Sequence, residues 1–133
     1  MQTQRNTELV KRIYAAFGSG DVPTIVDAFA PDGAISFEGA SPAVPWHRTA
    51  RGHGELPQFF AAIAATVEFE AFEPLAFVAS DEVVAVRLHL RYRVKPTGKL
   101  VDEQQVHWWT LASGKVTDLR HFEDTRQVAA ACV

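Results

Sequence analysis

Val84-Ala85-Val86-Arg87-Leu88-His89-Leu90-Arg91-Tyr92-Arg93-Val94 carries an apolar side chain at every second position. A period of two held this long is the pattern of a strand with one face in a core and the other in water. The second face reads Arg87, His89, Arg91 and Arg93, so the sheet is covered on one side only. The same reading extends outward through short turn signals: Ser80-Asp81-Glu82 before this strand, Pro96-Thr97-Gly98 after it, and Ser113-Gly114 further on. These turns bound neighbouring strands at Glu68 to Ala79, Leu100 to Leu111 and Val116 to Glu123. Connections this short join antiparallel neighbours.

The first half of the chain has the other periodicity. Leu9, Val10, Ile13, Tyr14 and Phe17 fall at helical spacing. Asn6 or Thr7 is placed to cap that helix, and Gly18-Ser19-Gly20 ends it. Asp21 then caps a second helix, with Pro23 in its first turn and Ile25, Val26 and Phe29 on its buried face. A short strand runs from Ala34 to Glu38, and a third helix from about Gly54 to Thr66. Between them, Gly39 to Gly52 is irregular and contains Trp46 and His47. Asp124 to Ala131 reads as a short terminal helix. Helices gathered before a meander pack on one face of one sheet. The expected fold is α+β: a curved, mostly antiparallel sheet wrapped around three N-terminal helices as a cone, its open end forming an apolar pocket. The length of 133 residues suits one domain spanning residues 1–133.

The formal charge of −3 and the lack of any basic run argue against a nucleic-acid partner. No Lys/Arg-faced amphipathic helix points to a membrane surface, and the uncharged stretch from Phe59 to Val67 is too short to span one. The single cysteine, Cys132, forms no internal disulfide, and Met1-Gln2-Thr3-Gln4-Arg5 lacks the apolar run of a signal peptide. A cytoplasmic protein is the expectation.

Several strings then carry a resemblance over nearly the whole chain. They are Ile13-Tyr14-Ala15-Ala16-Phe17 with Gly20-Asp21, Phe29-Ala30-Pro31-Asp32, Arg51-Gly52-His53, Val106-His107-Trp108-Trp109-Thr110-Leu111, Gly114-Lys115-Val116 and Arg120-His121-Phe122-Glu123-Asp124. With this element order they resemble the nuclear transport factor 2-like superfamily, in the branch of SnoaL-like polyketide cyclases and ketosteroid isomerases. The resemblance implies a cofactor-free protein, dimeric through the outer sheet face. Ketosteroid isomerase moves a proton with an Asp base while a Tyr and a protonated Asp hold the oxyanion. Carried over residue by residue, the Tyr falls at Tyr14, the protonated Asp at His107, and the base at Phe37. Glu38 is next to it but on the opposite face of the strand. The catalytic Asp of the cyclases falls at His121. Neither carboxylate base is present.

The residues themselves point the same way. On the strand from Leu100 to Leu111, Glu103, Gln105, His107, Trp109 and Leu111 share one face, read as the cavity wall. A histidine there suits acid–base work near neutral pH. Its partner on the last strand depends on the Ser113-Gly114 turn. A tight two-residue turn sets His107 against Arg120, and a longer turn or a bulge sets it against His121. Arg120 would bind an anionic oxygen, His121 would shuttle a second proton, and Asp124 would orient either. Tyr14 would donate to a carbonyl oxygen. Trp46, Trp109, Phe37 and Phe17 are expected to hold an apolar substrate. His47 reads as an exposed residue, and His53, which opens the third helix, as a capping or surface residue. No histidine pair lies at ligand spacing with a carboxylate, so no metal site is expected. Function divides three ways: isomerase, cyclase or dehydratase chemistry beside a carbonyl; non-catalytic binding of a hydrophobic metabolite; or a protein-interaction module using the outer sheet face.

Overall fold

The computed structural model describes all 133 residues. Helix α1 (Gln2–Gly18) turns Val10, Ile13 and Ala16 inward. It begins earlier than its sequence suggests. Asn6, the expected cap, is buried within the helix, where its amide donates to the Asp81 carbonyl at 2.9 Å and its oxygen accepts from Gln2 Nε2 at 2.6 Å. A fully paired polar residue is tolerated there and ties α1 to the turn at residues 80–82. Helix α2 (Val22–Ala28) starts as expected, with Asp21 accepting from the Thr24 amide at 3.3 Å.

Strand β1 (Phe29–Phe37), a short β2 (Ala50–Arg51), α3 (Gly52–Thr66), β3 (Val67–Ala79), β4 (Val83–Val94), β5 (Lys99–Ala112), β6 (Lys115–Phe122) and α4 (Thr125–Ala131) follow. The strands form one open sheet in the order β2-β1-β6-β5-β4-β3. Every pairing is antiparallel except that of β1 with β6. The α+β architecture is the expected one, with β2 added at an edge.

Irregularities shape the sheet. Two register shifts in β3, between Phe69 and Ala71 and between Pro74 and Ala76, bend that strand. As an edge strand it accepts Pro74 without losing a second ladder. In β1, Phe29 pairs with Val116 and Ala34 with Asp118, so residues 30–33 bulge outward. Gly33 makes this possible: a Cβ there would lie 2.7 Å from the Val116 carbonyl oxygen.

The hairpin of β5 and β6 settles which face of the last strand points inward. Ser113 and Gly114 have φ of 52° and 76°, the two positive values of a tight hairpin turn, and Ala112 pairs with Lys115. The tight turn alone would set His107 opposite Arg120. However, Leu111 pairs with Val116 and Thr110 with Asp118, leaving Thr117 unpaired as a bulge. The slip of one residue sets His107 opposite His121 and turns Leu119 and His121 inward.

The alternation of β4 is as read, with Val84, Val86, Leu88, Leu90, Tyr92 and Val94 all buried. Its outer side is not a free basic stripe. His89 bridges Glu73 and Asp102 at 2.8 Å each, and Arg91 pairs with Glu70 at 2.9 Å and Asp102 at 3.1 Å. No helix is long and apolar enough to cross a membrane.

Candidate active site

A cavity of about 80 Å³ lies between α1, α3 and the inner sheet face, and 17 of its 21 lining residues are hydrophobic. The face of β5 chosen from the sequence is the buried one: Glu103, Gln105, His107, Trp109 and Leu111. Tyr14, Phe17, Phe37, Trp46, His107, Trp109 and His121 all line the cavity. Arg120 and Asp124 do not. The Thr117 bulge turns Arg120 outward, where its guanidinium pairs with Glu38 at 2.6 Å across the exposed face. Asp124 is exposed and serves as the N-cap of α4, accepting from the Gln127 amide at 3.3 Å.

Six side chains, Glu103, Glu123, Gln105, His107, Tyr14 and Trp109, form one network of hydrogen bonds whose directions fix each other. Gln105 Nε2 donates to Glu103 at 3.0 Å and to Glu123 at 2.8 Å. Its Oε1 is therefore left to accept, and His107 Nε2–H donates to it at 3.0 Å. The proton of neutral His107 is thus on Nε2, so Nδ1 is the acceptor for the Tyr14 hydroxyl at 2.9 Å. The Tyr14 oxygen in turn accepts from Trp109 Nε1–H at 3.0 Å. Burial holds His107 well below the ordinary histidine range, with the neighbouring His121 pushing the same way, so the ring is neutral at pH 7. Burial also pushes the Tyr14 hydroxyl up, so it stays a phenol.

His121 is placed differently. Its Nδ1–H donates to the Ser36 carbonyl at 3.2 Å, and Nε2 has no partner within the chain. The one unpartnered side-chain polar atom sealed in the interior is Ser36 Oγ, so His121 Nε2 opens to the cavity that the ring lines. Burial, only partly offset by the charge of Glu123, brings this histidine down to about 4. Phe37 stacks on it with ring centroids 4.4 Å apart, and His107 approaches edge-on at 4.5 Å. Phe37 thus faces the cavity, while Glu38 points away, as strand alternation requires.

Three participants escaped the sequence reading. Glu123 is next to His121 at period two, a signal that was present. Gln105 was placed on the right face without a role. His47, read as a surface residue, is buried at the sheet end, because the chain after Glu38 folds back over the cavity. Its Nδ1 accepts from the Ser41 amide at 3.0 Å, so its Nε2–H donates to Glu123. Its ring stacks on Phe37 at 4.6 Å. Glu103 accepts from the Asp124 amide at 2.8 Å, yet burial still raises it to about 7. No group of three or more His, Cys, Asp and Glu side chains converges as a metal site.

With this geometry in place, comparison gives the family. The chain belongs to the SnoaL-like domain family, which matches residues 10–119. It is similar to a nuclear transport factor 2-like protein from Burkholderia xenovorans, at 33% identity over 98% of both chains with a TM-score of 0.90. It also resembles TerC, crystallised with polyporic acid, at 22% identity over 96% of this chain and 98% of that one, TM-score 0.84. A protein from Jannaschia sp. classed with the SnoaL-like polyketide cyclases shares 21% identity over 98% of this chain and 92% of that one, TM-score 0.78. The last two likenesses show a shared fold. No curated protein matches the chain.

Proposed function

We propose that the cavity takes an apolar carbonyl compound and that His121 removes a proton beside its carbonyl without a cofactor. Isomerisation, aldol cyclisation and dehydration all begin with that step. The observation that carries this reading is the unpartnered Nε2 of His121, in a wall where Tyr14, Trp109, Gln105 and His107 are bonded to one another. A histidine brought down to about 4 is neutral at pH 7 and has the basicity of an ordinary carboxylate. It stands where the resemblance puts the carboxylate of the cyclases. Once protonated, the ring is steadied by the Ser36 carbonyl and the charge of Glu123. Tyr14 supplies the donor for the developing oxyanion by turning its hydrogen from His107 Nδ1, its oxygen still accepting from Trp109.

Proton exchange at the α-carbon of 2-tetralone in D2O, followed by proton NMR, tests the reaction. The protein should accelerate exchange above buffer, with a rate that falls as pH drops through about 4, and His121→Asn should lose the acceleration. Exchange no faster than buffer, or equal in His121→Asn, sinks the catalytic reading.

A second reading is non-catalytic binding of a hydrophobic metabolite. It is favoured by the closure of the Trp109–Tyr14–His107–Gln105 chain, whose polar atoms are bonded to one another rather than converging with His121 Nε2 on a shared point. Saturable binding of 2-tetralone with no exchange is its signature.

A further inference from the structure

The inner cavity at His121 does not by itself enclose the whole of the compounds just proposed. Its volume of about 80 Å³ compares with roughly 300–1,000 Å³ for pockets that enclose drug-sized ligands. A second cavity of about 400 Å³ lies beside it, at the seam between α3 and the segment from Pro45 to Ala50. Trp46 and Phe59 line both, so they are the wall between the two. The wall is thin at Phe59, whose ring lies 6.3 Å from the His121 ring and 5.9 Å from that of Phe37, centroid to centroid. Phe59 is therefore the side chain whose rotation would open one chamber to the other.

The outer chamber has a different chemistry. Arg48, Thr49, Glu55 and Gln58 line it. The Glu55 carboxylate is engaged by the Arg51 amide at 2.9 Å. Arg48 is exposed, and its guanidinium makes no hydrogen bond or ion pair within the chain. It is the one cation in a mixed polar lining that borders the apolar inner cavity, with Glu55 the one opposing charge there.

We infer that the ligand is an amphipathic acid: an apolar ring system reaches past Phe59 to His121, and a carboxylate stays behind in the outer chamber on Arg48. This deepens the proposed function and rests on its cavity. The arrangement also assigns an orientation. The carboxylate end is the last to enter, and the reacting carbon belongs to the buried apolar end.

Isothermal titration of 2-naphthoate and its neutral isostere 2-naphthamide tests the inference, at pH 8 where the acid is ionised. Naphthoate should bind about tenfold more tightly, the effect of one charge-assisted contact to an accessible guanidinium. Arg48→Gln should remove that preference and leave naphthamide unchanged. Ile63→Trp, which fills the inner cavity from the half-buried face of α3, should abolish binding of both. Equal affinities in the parent protein, or a preference that survives Arg48→Gln, overturn the inference and leave the cavity reading standing. Failure of both probes to bind, or binding that ignores Ile63→Trp, removes the cavity reading and the inference with it.

Discussion

His107 and His121 face each other across β5 and β6 with ring centroids 4.5 Å apart, and the fold keeps both neutral. The unfolded chain binds a proton on each below the ordinary histidine value of 6.5; the folded chain refuses it. Stability must then fall as pH drops from 6.5 toward 4. For His121 alone the fall from 6.5 to about 4 amounts to about 3 kcal/mol. The parent and His121→Gln should differ by this slope in urea unfolding between pH 4 and 7; an equal slope in the variant would refute the assignment. Glu103 acts with the opposite sign. Its folded value of about 7 lies above the unfolded 4.5, so it removes stability as pH rises from 4.5 to 7 and holds that cost beyond. Glu103→Gln should therefore gain thermal stability relative to the parent at pH 8, and gain less at pH 5. Tyr14→Phe strips a partner from both His107 Nδ1 and Trp109 Nε1 and should cost about 2 kcal/mol in urea unfolding. A cost near zero would mean the hydroxyl is not bonded as described.

At the scale of elements, the β5–β6 hairpin shows where sequence reading reaches and where it stops. The facing set on β5 follows from period two alone, because an unbroken strand cannot change faces. The last strand could not be assigned that way, because the turn and the bulge are separate devices. Ser113-Gly114 dictates a two-residue turn, and burial of Leu119 then demands one extra residue, absorbed at Thr117. If burial rather than the turn sets the register, deleting Thr117 removes the bulge and keeps every other pair. Such a deletion variant should fold and still bind 2-naphthamide, losing about 1 kcal/mol with the hydrogen bond from the Thr117 hydroxyl to the Thr110 carbonyl. If it unfolds or loses binding, the bulge is itself a requirement of the site. The segment after Glu38 was opaque for another reason: an irregular chain has no period, and burial of His47 depends on Glu123, distant in sequence.

For the whole molecule, the fold could be read from two periodicities and the turns between them, while the site could be read only as a set of candidates. Helices and strands answer to local pattern; the tautomer of His107 answers to Gln105, Glu103 and Glu123 together, an arrangement no local pattern holds. The expected homodimer through the outer sheet face turns on the same distinction. Most of that face is polar and internally paired, as the His89 and Arg91 network shows. The exception lies on β5 and β6, where Trp108 is 44% and Phe122 39% exposed, with Val106 paired to Phe122. Large exposed aromatics between polar contacts, here the Arg120–Glu38 ion pair on one side and the hydrogen bond from Arg87 to Gln104 on the other, have the composition of an interface core with a polar rim. A twofold axis through this patch would bring Trp108 of each copy against its partner. Sedimentation equilibrium at micromolar concentration should then give a dimer, and Trp108→Glu should give a monomer by placing two like charges at the axis. Leu75→Glu, at an equally exposed apolar residue on the edge strand β3, should stay dimeric. A Trp108→Glu protein that sediments like the parent would exclude this face as the contact. A monomeric parent would mean that the aromatics face water, and that the dimer implied by the resemblance is not formed by this chain.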